Sequence, residues 1–330
     1  MTAIDAAPGR IGMLIVNLGT PDAAEPKAVK RYLRQFLSDP RVVEIPQLVW
    51  QPILRGVILN VRPRKSAHAY AQVWGAEGSP LATITRDTAR RLEGMFGNNV
   101  IVDWAMRYGN PSVESRLEAL IAQGCNRILF APLYPQYCAA TTASAHDALF
   151  AAIARRRVQP AIRTLPPYWR DPIHVEALKS SIERQLATLA FAPDLIVASF
   201  HGMPKRTTAK GDPYYYQCLE TANLLQDALG REVRTTFQSR FGPDKWLEPA
   251  TDLTLAALPK QGVRKVAVVM PGFSADCIET LEEIAMQGRE SFMEAGGEAF
   301  AALECLNASD ESVAMLHVLL ERELSGWENF

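Results

Sequence analysis

The chain has 330 residues, 48% apolar and 22% charged, with 35 Lys and Arg against 36 Asp and Glu for a formal charge of -1. Such a composition fills a compact core and excludes a disordered or fibrous chain, and a length near two domains of ~150 residues predicts two lobes. The balanced charge supplies no net field to draw in a polyanion, which excludes nucleic acid as a partner.

Met1 to Arg10 carries Asp5 and no apolar run, so no export signal is expected. Five cysteines, odd in number and without a CxxC pair, fit a reducing, cytoplasmic setting. Leu14-Ile15-Val16 predicts a buried strand running into Gly19-Thr20-Pro21, followed by a helix from Pro26 to Leu37. An apolar insertion over 38–80 comes next, reaching Gly78-Ser79-Pro80 and too broken for a core helix. Its stretch Val42 to Val61 is interrupted by Glu44, Pro46, Pro52 and Arg55, which argues against a bilayer crossing. Two readings stay open for it: a lip over a cleft or a surface touching membrane lipid, and a local cover for the first lobe's core.

A strand over Val100 to Ala105 leads into Met106-Arg107-Tyr108-Gly109, and a helix over Ser112 to Ile121 follows. Gln123-Gly124 then introduces Arg127 and a strand ending at Pro132, and Ala161 to Leu165 reads as the fourth strand. The same order recurs beyond Pro166-Pro167-Tyr168-Trp169. Leu195-Ile196-Val197 runs into Gly202-Met203-Pro204, a helix spans Tyr214 to Leu229, and Val233 to Gln238 precedes Ser239-Arg240-Phe241-Gly242. Gln261-Gly262 introduces Lys265 and a strand ending at Pro271, and Ala299 to Leu303 closes the set. This repeat predicts two similar parallel α/β lobes, 1–167 and 168–308. A final helix in 309–330, with Val313, Leu316, Leu320 and Leu324 on one stripe, is expected to dock on a lobe.

In open parallel sheets ligands bind beyond the carboxyl ends of the strands, so the residues after each strand are the first candidates. His201 follows Leu195 to Phe200 directly, and with Gly202 and Pro204 next in the chain it can offer a ring nitrogen to a ligand or a proton. After the third strand of that lobe come Asp276, Glu279 and Glu283, spaced by three and four. On an α-helix this places three carboxylates on one face, with Ile278, Leu281 and Ile284 as the buried stripe. Glu282 reads as a first-turn acid complementing the helix dipole. One imidazole beside carboxylates suits a borderline divalent metal such as Fe²⁺ or Zn²⁺ held transiently, or proton transfer. HExxH, P-loop, GxGxxG and GxSxG patterns are absent, so zincin proteolysis, nucleotide hydrolysis, dinucleotide binding and α/β-hydrolase chemistry lack their markers. Tyr214-Tyr215-Tyr216, Trp246, Tyr134, Tyr137, Arg107 and Tyr108 gather at the same strand ends. Together they suggest a flat apolar slot with anion-binding groups at its rim, suited to a large planar ligand bearing carboxylates.

The sequence resembles the ferrochelatase family, enzymes that insert Fe²⁺ into protoporphyrin IX to form haem. The likeness covers nearly the whole chain through LIVNLGTP (Leu14 to Pro21), GSPL (Gly78 to Leu81), Met106 to Tyr108, YPQYCAATT (Tyr134 to Thr142), SFHGMPKRTTAKGDPY (Ser199 to Tyr214), QSRFGPDKW (Gln238 to Trp246) and DCIETLEE (Asp276 to Glu283). It implies two Rossmann-like, chelatase-type lobes, each with a four-stranded parallel sheet flanked by helices, clamping the porphyrin between them. It implies His201 as the active-site histidine and Glu279 as the glutamate opposite it, the pair that meets the metal. Asp276, Glu283 and Glu304 match an acidic path for metal or protons, carried partly on a π-type helix. Leu18, Arg107, Tyr108, Tyr214, Ser239 and Trp246 match pocket positions, and Arg62 is aligned with a propionate contact.

Three departures matter. Gln287 stands where animal-type members carry a glutamate, so a route through that position is in doubt. Leu18 stands where coproporphyrin-using members carry a tyrosine, which points to protoporphyrin IX. No cysteine follows Cys305, so no [2Fe-2S] cluster is expected. Fe²⁺ and protoporphyrin IX are then substrates and no permanent cofactor is implied. Two rivals stay open: a chelatase for another tetrapyrrole or metal, such as coproporphyrin or Co²⁺, and a porphyrin-binding protein without chemistry. The implied location is cytoplasmic, peripheral to the inner membrane if the 42–61 stretch touches lipid.

Overall fold

Met13-Leu14-Ile15-Val16 and Ile196-Val197-Ala198 are apolar at every position, a pattern that suits strands covered by helices on both faces, and all seven of these residues are buried. The computed structural model describes residues 9–240 and 242–327; Asp5 and Phe241 lie outside them. The first half runs β1 (Arg10–Thr20), α1 (Pro26–Leu37), α2 (Gln47–Ile53), α3 (Leu59–Val73), α4 (Pro80–Glu93), β2 (Val100–Gly109), α5 (Val113–Ala122), β3 (Cys125–Pro132), α6 (Ser144–Ala154) and β4 (Ala161–Thr164). The second runs α7 (Pro172–Leu186), β5 (Leu195–His201), α8 (Lys205–Ala209), α9 (Tyr214–Leu229), β6 (Val233–Gln238), α10 (Thr251–Ala257), β7 (Lys265–Val269), a π-helix over Glu279–Gly288, α11 (Arg289–Glu294), β8 (Ala299–Ala302) and α12 (Asp310–Leu324).

The strands form two four-stranded sheets, ordered β2-β1-β3-β4 and β6-β5-β7-β8, with every neighbouring pair parallel. The shared order is the spatial counterpart of the sequence repeat. One core spans both sheets: Met13, Ile15 and Leu129 of the first join Ile196, Phe200 and Ala267 of the second, with Leu178, Leu225 and Leu316 from the helices between. The last helix, α12, packs against α7, α4 and β3. Its start is capped by Ser309, whose hydroxyl accepts from the Ser312 N–H at 3.3 Å.

Two expectations change. The strand expected over Val100 to Ala105 takes in Met106-Arg107-Tyr108-Gly109 as well, because β1 continues alongside and pairs Gly19 with Tyr108 and Thr20 with Gly109. Gly19 has φ +117°, and a Cβ there would collide with the Tyr108 carbonyl, so glycine is what lets the two chains run this far together. The insertion, broken by prolines in sequence, is helical from Gln47 to Val73 through a π turn at Leu54–Ile58. The Asn60 amide donates to the carbonyls of Arg55 and Gly56 at 3.2 and 2.9 Å, supplying bonds to carbonyls at that turn. Its inner face packs Trp50, Leu54, Leu59 and Tyr70 on Val29 and Leu33 of α1. Its outer face leaves Leu48 93% and Val61 69% exposed.

Candidate active site

The carboxyl ends of β1, β3, β5 and β7 converge on one cleft. Asn17, Leu18, Gly19 and Thr20 line it from β1, Tyr134 and Gln136 from the segment after β3, and His201 from the end of β5. Ser274, Ala275 and Cys277 come from the segment after β7, Ile278 and Glu279 from the start of the π-helix, Tyr214 from α9 and Tyr70 from α3. The space enclosed is about 100 Å³.

The His201 ring is fixed from below. Its Nδ1 lies 2.7 Å from the Gly202 carbonyl, an oxygen that can only accept, so Nδ1 carries a proton, and in the neutral ring the lone pair is the one on Nε2. The Tyr214 hydroxyl donates to the His201 carbonyl at 3.0 Å. Tyr214 is held by Asp212, which accepts from the Tyr214 N–H at 3.0 Å through one oxygen and from the Ala139 N–H of the first lobe at 2.8 Å through the other. Asn17 also ties the lobes, donating to Thr85 and to Ser274 at 3.3 Å each.

The carboxylates separate into different environments. Asp276 precedes the π-helix, and its oxygens accept from Thr280 Oγ1 at 2.8 Å, Asn307 Nδ2 at 2.6 Å and the Cys305 N–H at 3.4 Å. The single-face pattern expected of an α-helix therefore does not form: Asp276 lies outside the helix, and the helix that follows has π rather than α spacing. Glu283 gives one oxygen to the Ser239 N–H and the other to the Ser239 hydroxyl, each at 2.6 Å. Burial pushes its pKa up, while Ser239 and the charge of His201 pull it down. Glu304 is exposed after β8, its backbone exchanging bonds with Gln185 at 2.8 and 3.1 Å. Glu279 is the carboxylate on the cleft wall.

Arg107 and Tyr108 are not among the residues lining this cleft and meet instead at Asp39. Asp39 accepts from Arg107 at 2.6 Å, from the Tyr108 hydroxyl at 2.7 Å and from Ser144 Oγ at 2.6 Å, and Tyr108 is 0% exposed. Trp246 pairs with Pro204 as an isolated antiparallel bridge, its indole nitrogen buried without a hydrogen-bond partner among the described residues. Arg62 is half-buried on α3, and burial lowers its pKa.

The sequence reading missed Tyr70, Gln136 and Cys277 as cleft residues. Tyr70 sits inside the insertion on a helical stripe that marks packing, and Cys277 drew notice only in the cysteine count and as part of the DCIETLEE stretch, with no role given to it. The Tyr134 hydroxyl, also on the wall, is buried without a partner among the described residues, and burial raises its pKa. Among the described residues no group of three or more His, Cys, Asp or Glu is arranged to hold a metal ion.

Two parallel lobes of one strand order, with a cleft across their strand ends, define a two-lobed α/β protein of the chelatase fold. SirB from Bacillus subtilis shares the fold with a TM-score of 0.59 over 97% of each chain at 14% identity. DR2241 from Deinococcus radiodurans, a multi-domain protein with structural similarity to chelatases, aligns over 94% of this chain and 55% of its own with a TM-score of 0.53 and 10% identity. In sequence, the profile of the ferrochelatase family matches residues 10–324. The ferrochelatase of Rhodopseudomonas palustris strain TIE-1 is 54% identical over 97% of this chain and 95% of its own. That of Mesorhizobium japonicum is 53% identical over 98% and 93%. The chain belongs to the ferrochelatase family and is an enzyme of the metal-chelatase class.

Proposed function

We propose that this enzyme inserts Fe²⁺ into protoporphyrin IX, releasing two protons and forming haem, with His201 and Glu279 as the working pair. The observation that best supports the reading is the His201 tautomer, which leaves the Nε2 lone pair on a ring bordering the same cleft as Glu279. A planar porphyrin carries two pyrrole N–H protons and aims its nitrogens inward, so the metal needs a distorted ring and a base. Binding energy from the apolar ring faces offsets that distortion. His201 Nε2 then takes one pyrrole proton, Glu279, a hard oxygen donor, passes Fe²⁺ to the ring nitrogens, and the second pyrrole proton leaves along the carboxylates behind Glu279.

In this reading Leu18, Tyr214, Trp246 and Arg62 contact the porphyrin. Arg107, Tyr108 and Ser239 support the wall, and Asp276, Glu283 and Glu304 form the acidic route behind Glu279. The lobes meet near 167–168, and the 309–327 part of the final segment belongs with the docked helix, 328–330 lying outside the described residues. The enzyme needs no permanent cofactor and no [2Fe-2S] cluster. It works in the cytoplasm, with the outer face of the insertion resting on the inner membrane: Leu48, Val49, Ile53, Val57 and Val61 are exposed there at near-helical spacing, beside Arg55, Arg64 and Lys65.

The test is an anaerobic assay offering Fe²⁺ or Co²⁺ with protoporphyrin IX and coproporphyrin in competition. The proposal expects the haem band of the protoporphyrin product to dominate. Preference for coproporphyrin or Co²⁺, or tight porphyrin binding without insertion of any metal, contradicts it.

A further inference from the structure

Behind the cleft, the core holds a set of polar groups that the reaction above leaves unused. Ser199, Gln238 and Thr251 are all buried, where an unpaired hydroxyl or amide would be costly. The Gln238 amide oxygen can only accept, and it takes the Ser199 hydroxyl proton at 2.7 Å. The Thr251 hydroxyl lies 2.8 Å from Ser199 Oγ and stands behind it. With its oxygen held, Gln238 must turn its nitrogen the other way, and Nε2 donates to the carbonyl of Glu279 at 2.8 Å. Turned over, the amide would set its oxygen against the Glu279 carbonyl oxygen, two acceptors face to face.

Glu279 is the first residue of the π-helix. The next residue after Gln238 grips the same helix further along, since Ser239 donates twice to Glu283. Ser239 does so from φ +64°, a left-handed conformation that places its N–H and hydroxyl on the same side. The end of β6 therefore holds the π-helix at two points, and the one at Glu279 is a bond to the backbone of the residue on the cleft wall.

We infer that Gln238 is a positioning residue for metal insertion: oriented by Ser199, it holds the Glu279 carbonyl and so fixes where the Glu279 carboxylate meets the cleft. This rests on the proposed role of Glu279 and names the group that aims it. Misplacing a reacting group by about 1 Å costs on the order of 100-fold in rate.

The test compares single-turnover Fe²⁺ insertion by the full chain with Gln238→Met, Ser199→Ala, Glu279→Gln and the Gln238→Met/Glu279→Gln double variant, reading protoporphyrin affinity by fluorescence quenching. Gln238→Met is expected to lower the rate by about 10- to 100-fold with porphyrin affinity within about twofold. It adds nothing to the loss in Glu279→Gln, because it acts through that residue. Ser199→Ala moves the rate in the same direction by less. A native rate in Gln238→Met, or a loss that multiplies with that of Glu279→Gln, overturns the inference. Should Gln238→Met fail to fold, Ser199→Ala decides alone, and a native rate there overturns it equally. A Glu279→Gln enzyme inserting iron at the native rate would instead strike the proposed reaction itself, a result the Gln238 variants cannot produce.

Discussion

Ser239 holds both oxygens of Glu283, its N–H on Oε1 and its hydroxyl on Oε2, each at 2.6 Å. Burial raises the pKa of that carboxyl and the two donors work against it. Ser239→Ala leaves one donor, so the charged form loses support and the pKa rises further. The cost is about 1–3 kcal/mol of stability at neutral pH. A raised carboxyl pKa removes stability as pH rises through it, so the deficit should be larger at pH 8 than at pH 5 in urea titrations. A deficit that does not grow with pH contradicts this account of the clasp.

Asp39, at the root of the insertion, collects Arg107, Tyr108, Ser144 and the Arg41 N–H. Burial acts to raise its pKa, but the hydrogen bonds from Ser144, Tyr108 and Arg41 and the charge of Arg107 hold it below the usual carboxylate range. Asp39→Ala strands a largely buried guanidinium and should cost about 3–5 kcal/mol. A depressed carboxyl pKa gives stability that is present above the unfolded value and lost as pH falls, so the gap between native and variant closes in acid. Urea midpoints at pH 7 and well below the ordinary carboxylate value of 3.8 check both statements, and a gap that persists there contradicts the second.

The strands and the repeat were legible because a buried parallel strand is apolar at every position and a Gly or Pro loop ends it. His201 was legible for the same reason, as the residue after such a strand. The acidic helix was read two ways: spacing of three and four assumes α geometry and put Asp276 on the helix, whereas the family resemblance implied the π-type helix that is present, and neither reading shows that Asn307 and Thr280 engage Asp276. Arg107 and Tyr108 read as a pocket rim because their partner Asp39 lies far away in sequence. The insertion concealed Tyr70, since one helix packs a core with one face and lines the cleft with one residue.

His174 is buried on α7 with Nδ1 facing the Trp169 carbonyl at 3.4 Å, and burial pushes its pKa down to about 4 although that carbonyl acts to raise it. The unfolded chain takes a proton near pH 6.5 and the native protein does not until about pH 4. Stability should therefore fall by about 3 kcal/mol as pH drops across that window. His174→Phe is expected to be less stable at pH 7, having lost the bond, yet to lose less on acidification. An unchanged drop between pH 7 and pH 4.5 contradicts the assignment.

Replacing Leu48 and Val61 together by Glu removes apolar surface from the outer face of the insertion without touching its packed side. Sedimentation with anionic phospholipid vesicles should fall several-fold, on the order of the loss expected when two apolar anchors become charged. Insertion with detergent-dispersed porphyrin should hold. Equal vesicle binding by native and variant contradicts the membrane contact.

The central claim is that the His201 ring, bordering the cleft with its Nδ1 held by the Gly202 carbonyl, does the proton chemistry of insertion through Nε2. The most direct measurement follows the visible spectrum of native enzyme and His201→Ala mixed anaerobically with protoporphyrin IX and Fe²⁺, alongside fluorescence quenching as a measure of porphyrin binding. The account predicts a growing haem band for the native enzyme and none above the uncatalysed rate for His201→Ala, with quenching retained in both. Near-native growth of the haem band in His201→Ala would contradict it.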